Sequence, residues 1–187
     1  MASPTKPACS EEVHGGPHLE RNSSIGRLKR MEASIKAVQT HVGGAFSSLT
    51  SRDRAQIMSI GIRTPTRTFK GLVDTASDLI WFYCDPFNHF HIYPTFYQSD
   101  SSTYERVPCS SSFCSALGNS TCAPDCRYSH LYSQSWITRG DLSFETFNVG
   151  NHSFGGVAFG CSNETYGDGL VIADGVLGLG RGKLSLI

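Results

Sequence analysis

The sequence predicts an all-β fold for most of the chain, and three observations support that class. Apolar Met58, Ile60 and Ile62 alternate with small or polar residues, which is typical of a half-buried strand. Nineteen glycines in 187 residues separate short apolar segments with turns. Helical periodicity is nearly absent after residue 55, so strands must build the core there.

The first 54 residues have a different character and predict a leader. Residues 1–23 are polar and contain three prolines, a composition typical of disorder. From Ser24 to Val42, apolar residues recur at three- and four-residue steps, which predicts a basic amphipathic helix ended by Gly43. Such a helix binds a membrane or calmodulin, or more commonly covers another surface of its own protein. We therefore predict a leader over 1–54 and one domain over 55–187.

Strands are then predicted in order along the domain. A turn at 64–66 reverses the chain after the first strand, and the segment from Phe69 to Val73 returns it. Residues 85–125 are rich in loops. Further strands are predicted at Leu142–Asn148, Val157–Phe159 and Val176–Leu179.

Charge and hydropathy exclude two classes of partner. Basic and acidic residues number 16 each, so no net positive charge favours a nucleic acid. No apolar run approaches the roughly 20 residues of a membrane helix. The first 45 residues also lack the apolar stretch of a secretory signal peptide.

The cysteines nevertheless indicate an oxidising, secretory setting. Six of the seven lie between Cys84 and Cys161 in a turn-rich segment, and sequons for N-glycosylation occur at Asn22, Asn119, Asn151 and Asn163. The predicted compartment is therefore extracellular or within the secretory pathway.

Disulfides and zinc compete as interpretations of these cysteines. Cys109, Cys114, Cys122 and Cys126 form two close pairs, with four and three intervening residues, and zinc sites use similar spacings. His89 and His91, near Cys84, would be further zinc ligands. Because no CxxC pair is present, we favour disulfides, with six candidates: Cys84, Cys109, Cys114, Cys122, Cys126 and Cys161. The odd seventh cysteine leaves a thiol unpaired or paired between chains.

Asp74 is the candidate for acid–base chemistry. It follows a short apolar strand and opens a tight polar bend before Leu79 resumes an apolar run. A carboxylate between two buried segments is partly desolvated, which suits catalysis. An ordinary turn aspartate explains the same pattern, because aspartate and serine side chains bond to nearby backbone.

Five segments in order resemble the N-terminal lobe of plant nepenthesin-like aspartic proteases, which are pepsin-like enzymes of two lobes. They are SIGIRTPTRTFKGLVDTASDLIWFYC from residue 59, SSTYERVPCSSSFCSAL from 101, CRYSHLYSQSWITRGDLSFETF from 126, FGC at 159–161 and DGVLGLGRGKLSL from 174. The resemblance covers about residues 55–187. The segment RLKRMEASIKAV is similar to the basic helix of the family's propeptide.

This resemblance implies an aspartic endopeptidase that cleaves protein or peptide substrates without a cofactor or metal. It also implies an extracellular or secretory/vacuolar location. Asp74 matches the catalytic aspartate of the family's first lobe. Thr75 matches the threonine that joins the two active-site loops, and Ser77 matches the serine that bonds to the outer oxygen of that aspartate. Tyr132 matches the flap tyrosine that closes over substrate. Trp81 is expected to support the site by packing.

The sequence also departs from the family pattern. Ala76 replaces the glycine of the DTG motif, and YSQSW replaces the flap segment YGDGS. Phe87 and Phe90 replace cysteines, so at least one family disulfide must be absent or rearranged. Arg63 stands where a turn glycine is usual.

The family's second lobe carries the second catalytic aspartate in a D-[ST]-G motif, and the 187 residues contain no convincing second copy. We therefore expect this polypeptide alone to be inactive and to self-associate through the lobe face that a second lobe would cover. The alternative is a non-catalytic binding protein with a protease fold, similar to the plant xylanase inhibitors.

Overall fold

A computed structural model describes residues 49–52, 55–87, 94–132, 136–167 and 172–186. The predicted helix from Ser24 to Val42 lies outside these residues, as do Cys9, His89, Phe90 and His91.

Strands dominate the described residues, which confirms the all-β class. Ten strands form one sheet, in the order β1-β2-β3-β10-β4-β9-β8-β7-β6, with β5 paired to β8. Their bounds are β1 Leu49–Arg52, β2 Ala55–Ile62, β3 Arg67–Asp74, β4 Trp81–Tyr83, β5 Glu105–Arg106, β6 Ser120–Cys122, β7 Cys126–Leu131, β8 Ile137–Val149, β9 His152–Tyr166 and β10 Gly175–Gly178. The helical elements among the described residues are one turn of α-helix, α1 at Ser112–Ser115, and a 3-10 turn at Gln98–Asp100. No helix among the described residues is long and apolar enough to cross a membrane.

Every predicted strand is present, and the two longest extend beyond their predicted bounds. β8 and β9 pair antiparallel along almost their full length, from Ile137↔Tyr166 to Val149↔His152. β1 lies on the leader side of the boundary predicted after residue 54, and it pairs with β2. The division into leader and domain stays a prediction.

The core contains two groups of buried apolar side chains. One is built on an aromatic cluster whose rings are all 0–1% exposed: Phe69, Phe82, Phe96, Phe147 and Phe159. The other surrounds Trp81, which is also fully buried. Edge-to-face contacts such as Phe69–Phe82, at 5.7 Å between centroids, are the geometry that aromatic pairs prefer.

The six cysteines predicted to form disulfides do so, as three bridges. Cys84–Cys161 joins β9 to the residue after β4, inside the first core group. Cys109–Cys122 links the loop-rich segment to the end of β6, and Cys114–Cys126 links it to the start of β7. The last two bridges interleave, a connectivity that spacing alone does not determine.

Arg63 has a backbone conformation that suits glycine, the residue that the resemblance leads us to expect at this position. Its φ is 78°, in the left-handed region that long side chains rarely adopt. The Arg63 guanidinium reaches Asp100, with Nη1 3.1 Å from the carboxylate and 3.1 Å from the backbone oxygen. These contacts offset part of the backbone strain, which costs on the order of 1–3 kcal/mol.

The buried carboxyl of Asp174, just before β10, should make the free energy of unfolding depend on pH. Its side chain accepts a 2.7 Å hydrogen bond from the Lys70 amide, and the residue is 5% exposed. Burial raises the pKa of this carboxyl above its usual value. A raised folded-state pKa favours the protonated form, so this stabilising contribution is complete below the ordinary pKa and is lost as pH rises through the raised one.

We therefore expect Asp174→Asn to remove a decline in stability that the wild type shows as pH rises from below the ordinary aspartate pKa through the raised pKa of Asp174. Urea unfolding at several pH values measures this. Parallel curves of unfolding free energy against pH for the two proteins would contradict the prediction.

Candidate active site

Asp74 is the last residue of β3, and β10 fixes its position. The two strands run parallel, with Gly178 opposite Asp74, and the Leu179 amide donates to the Asp74 carbonyl at 2.8 Å. Gly180 N donates to Ser77 O at 2.9 Å, so the bend after β3 is held at a second point. The backbone around Asp74 is therefore constrained from a strand that is distant in sequence.

Both oxygens of the Asp74 carboxylate accept hydrogen bonds from its own bend. Oδ1 accepts from the Ala76 amide at 2.9 Å, and Oδ2 accepts from Ser77 Oγ at 2.6 Å. The φ of Ala76 is not positive. The residue therefore donates its amide to Asp74 without adopting the left-handed conformation that favours glycine. Thr75 is half-buried in the same bend.

A hairpin from β7 and β8 brings Tyr132 to this bend. The Tyr132 amide donates to Trp136 O at 2.9 Å, and the two rings stack with 4.3 Å between centroids and 25° between planes. Trp81 Nε1 donates to the Tyr132 hydroxyl at 2.8 Å. The Tyr132 hydroxyl also lies beside the Ser77 side chain. A chain of polar contacts thus runs from Trp81 through Tyr132 and Ser77 to Asp74.

Burial raises the pKa of Tyr132 well above its usual value. Its hydroxyl therefore keeps its proton at any pH where proteins work.

These groups line a cleft of about 680 Å³. Asp74, Ser77 and Asp78 contribute polar groups, the hairpin contributes aromatic rings, and Leu72, Leu79, Leu117 and Leu184 contribute apolar surface. Ligand pockets typically combine such apolar walls with a few convergent polar groups.

Asp78 is a second carboxylate in this cleft, and sequence analysis did not single it out. Its Oδ1 accepts a 2.8 Å hydrogen bond from the Gly182 amide. A Cβ at Gly180 or Gly182 would lie 2.1 or 2.0 Å from an Asp78 oxygen, so a larger residue at either position would displace the Asp78 carboxylate. Asp78 therefore holds the loop after β10 against the bend.

His130 also lines the cleft and was missed, because one histidine in a strand carries no signal of its own. Its ring meets Tyr132 edge to face, with 4.6 Å between centroids. Burial lowers the pKa of His130, while the Asp74 and Asp78 carboxylates act in the opposite direction.

We expect Asp74→Asn to lower the pKa of His130 further, because it removes an anion that favours the imidazolium. Titration of the His130 ring by NMR measures the change. Asp85→Asn is the matched control, since Asp85 lies outside this cleft and should leave His130 unaffected. An unchanged or higher His130 pKa in Asp74→Asn would count against the coupling.

The fold is that of the N-terminal lobe of a pepsin-like aspartic protease. An all-β sheet holds Asp74 in a hydrogen-bonded bend, and the hairpin formed by β7 and β8 brings Tyr132 to that bend. Residues 57–187 match the family described as xylanase inhibitor N-terminal, and the chain belongs to that family.

Relatives confirm the resemblance to nepenthesin-like proteases. Nepenthesin-2 of Nepenthes gracilis is 34% identical over 94% of this chain and 42% of its own length. Nepenthesin-1 of the same plant is 36% identical over 90% and 38%. Aspartyl protease 37 of Oryza sativa subsp. japonica is 42% identical over 70% and 30%. The chain thus spans less than half the length of these relatives.

The structure brings Asp74, Ser77 and Tyr132 together in one cleft, with Thr75 in the same bend. Trp81 contacts Tyr132 through its indole N–H as well as by packing. Two residues that depart from the family pattern still make contacts in the site. Ala76 donates its amide to Asp74 in the bend, and Trp136 stacks on Tyr132 in the hairpin.

Proposed function

We propose that this lobe supplies one of the two catalytic carboxylates of an aspartic endopeptidase, and that Asp74 is that group. The observation that carries the proposal is the Asp74 carboxylate itself. Both of its oxygens are oriented by hydrogen bonds of 2.9 and 2.6 Å beside a cleft of about 680 Å³. A fixed carboxylate in a partly apolar cleft suits general acid–base catalysis.

The reaction requires a second carboxylate close to the first. Two such groups share one proton, because like charges about 3 Å apart do not both ionise. The ionised member takes a proton from a bound water, whose oxygen attacks the peptide carbonyl carbon. The protonated member donates its proton to the carbonyl oxygen. We assign Asp78 a structural role instead, because its carboxylate lies against Gly180 and Gly182 and holds the loop after β10. The second carboxylate would come from a second lobe.

Ser77 and Tyr132 are positioning residues in this proposal. Ser77 orients Oδ2 of Asp74, and Tyr132 orients Ser77 while Trp81 holds the Tyr132 hydroxyl. The hairpin would lie over a bound peptide and exclude water. Thr75 would join this bend to the matching bend of the second lobe.

The substrate class is protein or peptide, and the compartment is extracellular or vacuolar. The three disulfides fit an oxidising compartment.

We also predict that the isolated lobe self-associates through the cleft face, where Leu131 is 61% exposed. Sedimentation velocity tests this prediction. The relatives are named as aspartic proteinases or proteases, which favours the enzyme over the binding protein.

A chimera tests the proposal. We would join this lobe to the part of nepenthesin-1 that it does not match, and assay denatured haemoglobin near pH 3 to 4, where the carboxylate pair is ionised once. Cleavage that pepstatin blocks is expected for the chimera, and none for the 187-residue polypeptide. A folded chimera without activity, or an active isolated lobe whose cleavage pepstatin blocks, would overturn it.

A further inference from the structure

Three of the four sequons lie in described residues, and their surroundings differ sharply. An acceptor asparagine must leave room for a bulky, hydrated oligosaccharide on the folded surface. From these surroundings we propose that Asn119 and Asn151 carry asparagine-linked oligosaccharides, and that Asn163 stays unmodified. The inference does not depend on the catalytic role of the lobe.

Asn151 lies at the tip of the hairpin that joins β8 to β9. Val149 pairs with His152, so Gly150 and Asn151 form the turn, and Gly150 has a φ of 57°. The whole sequon Asn151–Ser153 is exposed. A glycan on this tip would extend into solvent and displace no packed side chain.

Asn119 lies in an equally open segment before β6. Residues 118–122 are all exposed, and a Cβ added at Gly118 would have no atom within 4 Å. The Asn119 backbone oxygen accepts a hydrogen bond from the Ser129 amide, which anchors the residue through its main chain. Because Gly118 also lines the cleft, a glycan on Asn119 would stand at the rim of the candidate active site.

Asn163 has the opposite environment. Gly140 pairs with Ser162 and Arg139 with Glu164, so Asn163 is the extra residue of a bulge between β8 and β9. It is half-buried and lines a separate cavity of about 320 Å³.

That cavity is lined by charged side chains that pair with one another. Arg106 lies 3.4 Å from Asp141 and 3.5 Å from Asp125, and Arg127 lies 3.2 Å from Asp141. A sugar on Asn163 would enter the space that these ion pairs border and would crowd them. Chains modified there would fold poorly and be depleted from the secreted protein.

The modification needs a lipid pyrophosphate-linked oligosaccharide as donor. The side-chain nitrogen of asparagine attacks the anomeric carbon, and a carbon–nitrogen bond forms while the bond from that carbon to phosphate oxygen breaks. The lipid pyrophosphate leaves with the electron pair, and the amide loses one proton to a base of the transferase.

Secretion of the 187-residue chain from plant or insect cells, behind a cleavable host signal, tests the proposal. Asn22→Gln in every version removes the sequon that lies outside the described residues. Glycosidase release in ¹⁸O water converts each modified asparagine to labelled aspartate, and mass spectrometry locates the label. We expect label at Asn119 and Asn151 in the soluble protein and none at Asn163.

Matched variants separate loss of a glycan from loss of folding. In microsomal translation, where the readout is gel mobility, Asn119→Gln and Thr121→Ala should each remove one glycan, as should Asn151→Gln and Ser153→Ala. Soluble protein from Asn163→Gln should carry the same two glycans as the parent. An unmodified Asn119 or Asn151, or label at Asn163 in the soluble protein, would overturn the assignment for that residue.

Discussion

Asp74→Asn is expected to lower the kcat of the two-lobe chimera by roughly 10³-fold or more while changing KM little. The amide oxygen can still accept from the Ala76 amide, and the amide nitrogen can donate to Ser77 Oγ, so the bend should persist. It cannot, however, take a proton from water or share one with a second carboxylate. The loss should therefore fall on the chemical step.

Asp78→Asn is the matched control, because Asp78 lines the same cleft but holds a loop. Its oxygen can still accept from the Gly182 amide, so kcat per folded molecule should stay within about tenfold of the wild type. Equal losses in the two variants would mean that Asp74 acts through structure alone.

Removing the Cys84–Cys161 disulfide is expected to have the largest effect on stability. This bridge closes 77 residues, for which chain entropy gives about 4–5 kcal/mol. Cys109–Cys122 closes only 13 residues, for which the same relation gives about 3 kcal/mol. Cys84 and Cys161 also lie in the core, at 0% and 2% exposed, so their packing adds to the difference.

Denaturant unfolding of Cys84→Ala/Cys161→Ala measures this cost, with Cys109→Ala/Cys122→Ala as control. The core pair should lose more unfolding free energy than the loop pair. The reverse order would show that native packing does not depend on the core bridge.

The sequence predicts the fold best where apolar alternation is strong. β2 and β3 follow from Met58, Ile60, Ile62 and Phe69, which are all buried. The first half of β9 could not be predicted, because Ser153, Gly155 and Gly156 carry no alternation. It is a strand because β8 supplies its hydrogen bonds.

The sequence likewise predicts some residues of the candidate site and not others. Asp74, Ser77 and Tyr132 could be found from the order of their segments, although 55 residues separate Ser77 from Tyr132. Asp78 and His130 could not be found from the sequence. They become part of the cleft only because the fold brings residues 180–182 and the β7–β8 hairpin to the bend after β3. The sequence also could not predict whether alanine fits at position 76, because that depends on the φ that the fold gives this residue.

The central claim is that Asp74 acts as one half of a carboxylate pair, and a double-mutant cycle in the chimera tests it most directly. We would measure kcat for Asp74→Asn, for an asparagine at the catalytic aspartate of the second lobe, and for both together. Groups that act as a unit are strongly non-additive, so the double variant should be about as active as either single variant. Two losses that multiply in the double variant would show independent roles and contradict the pair.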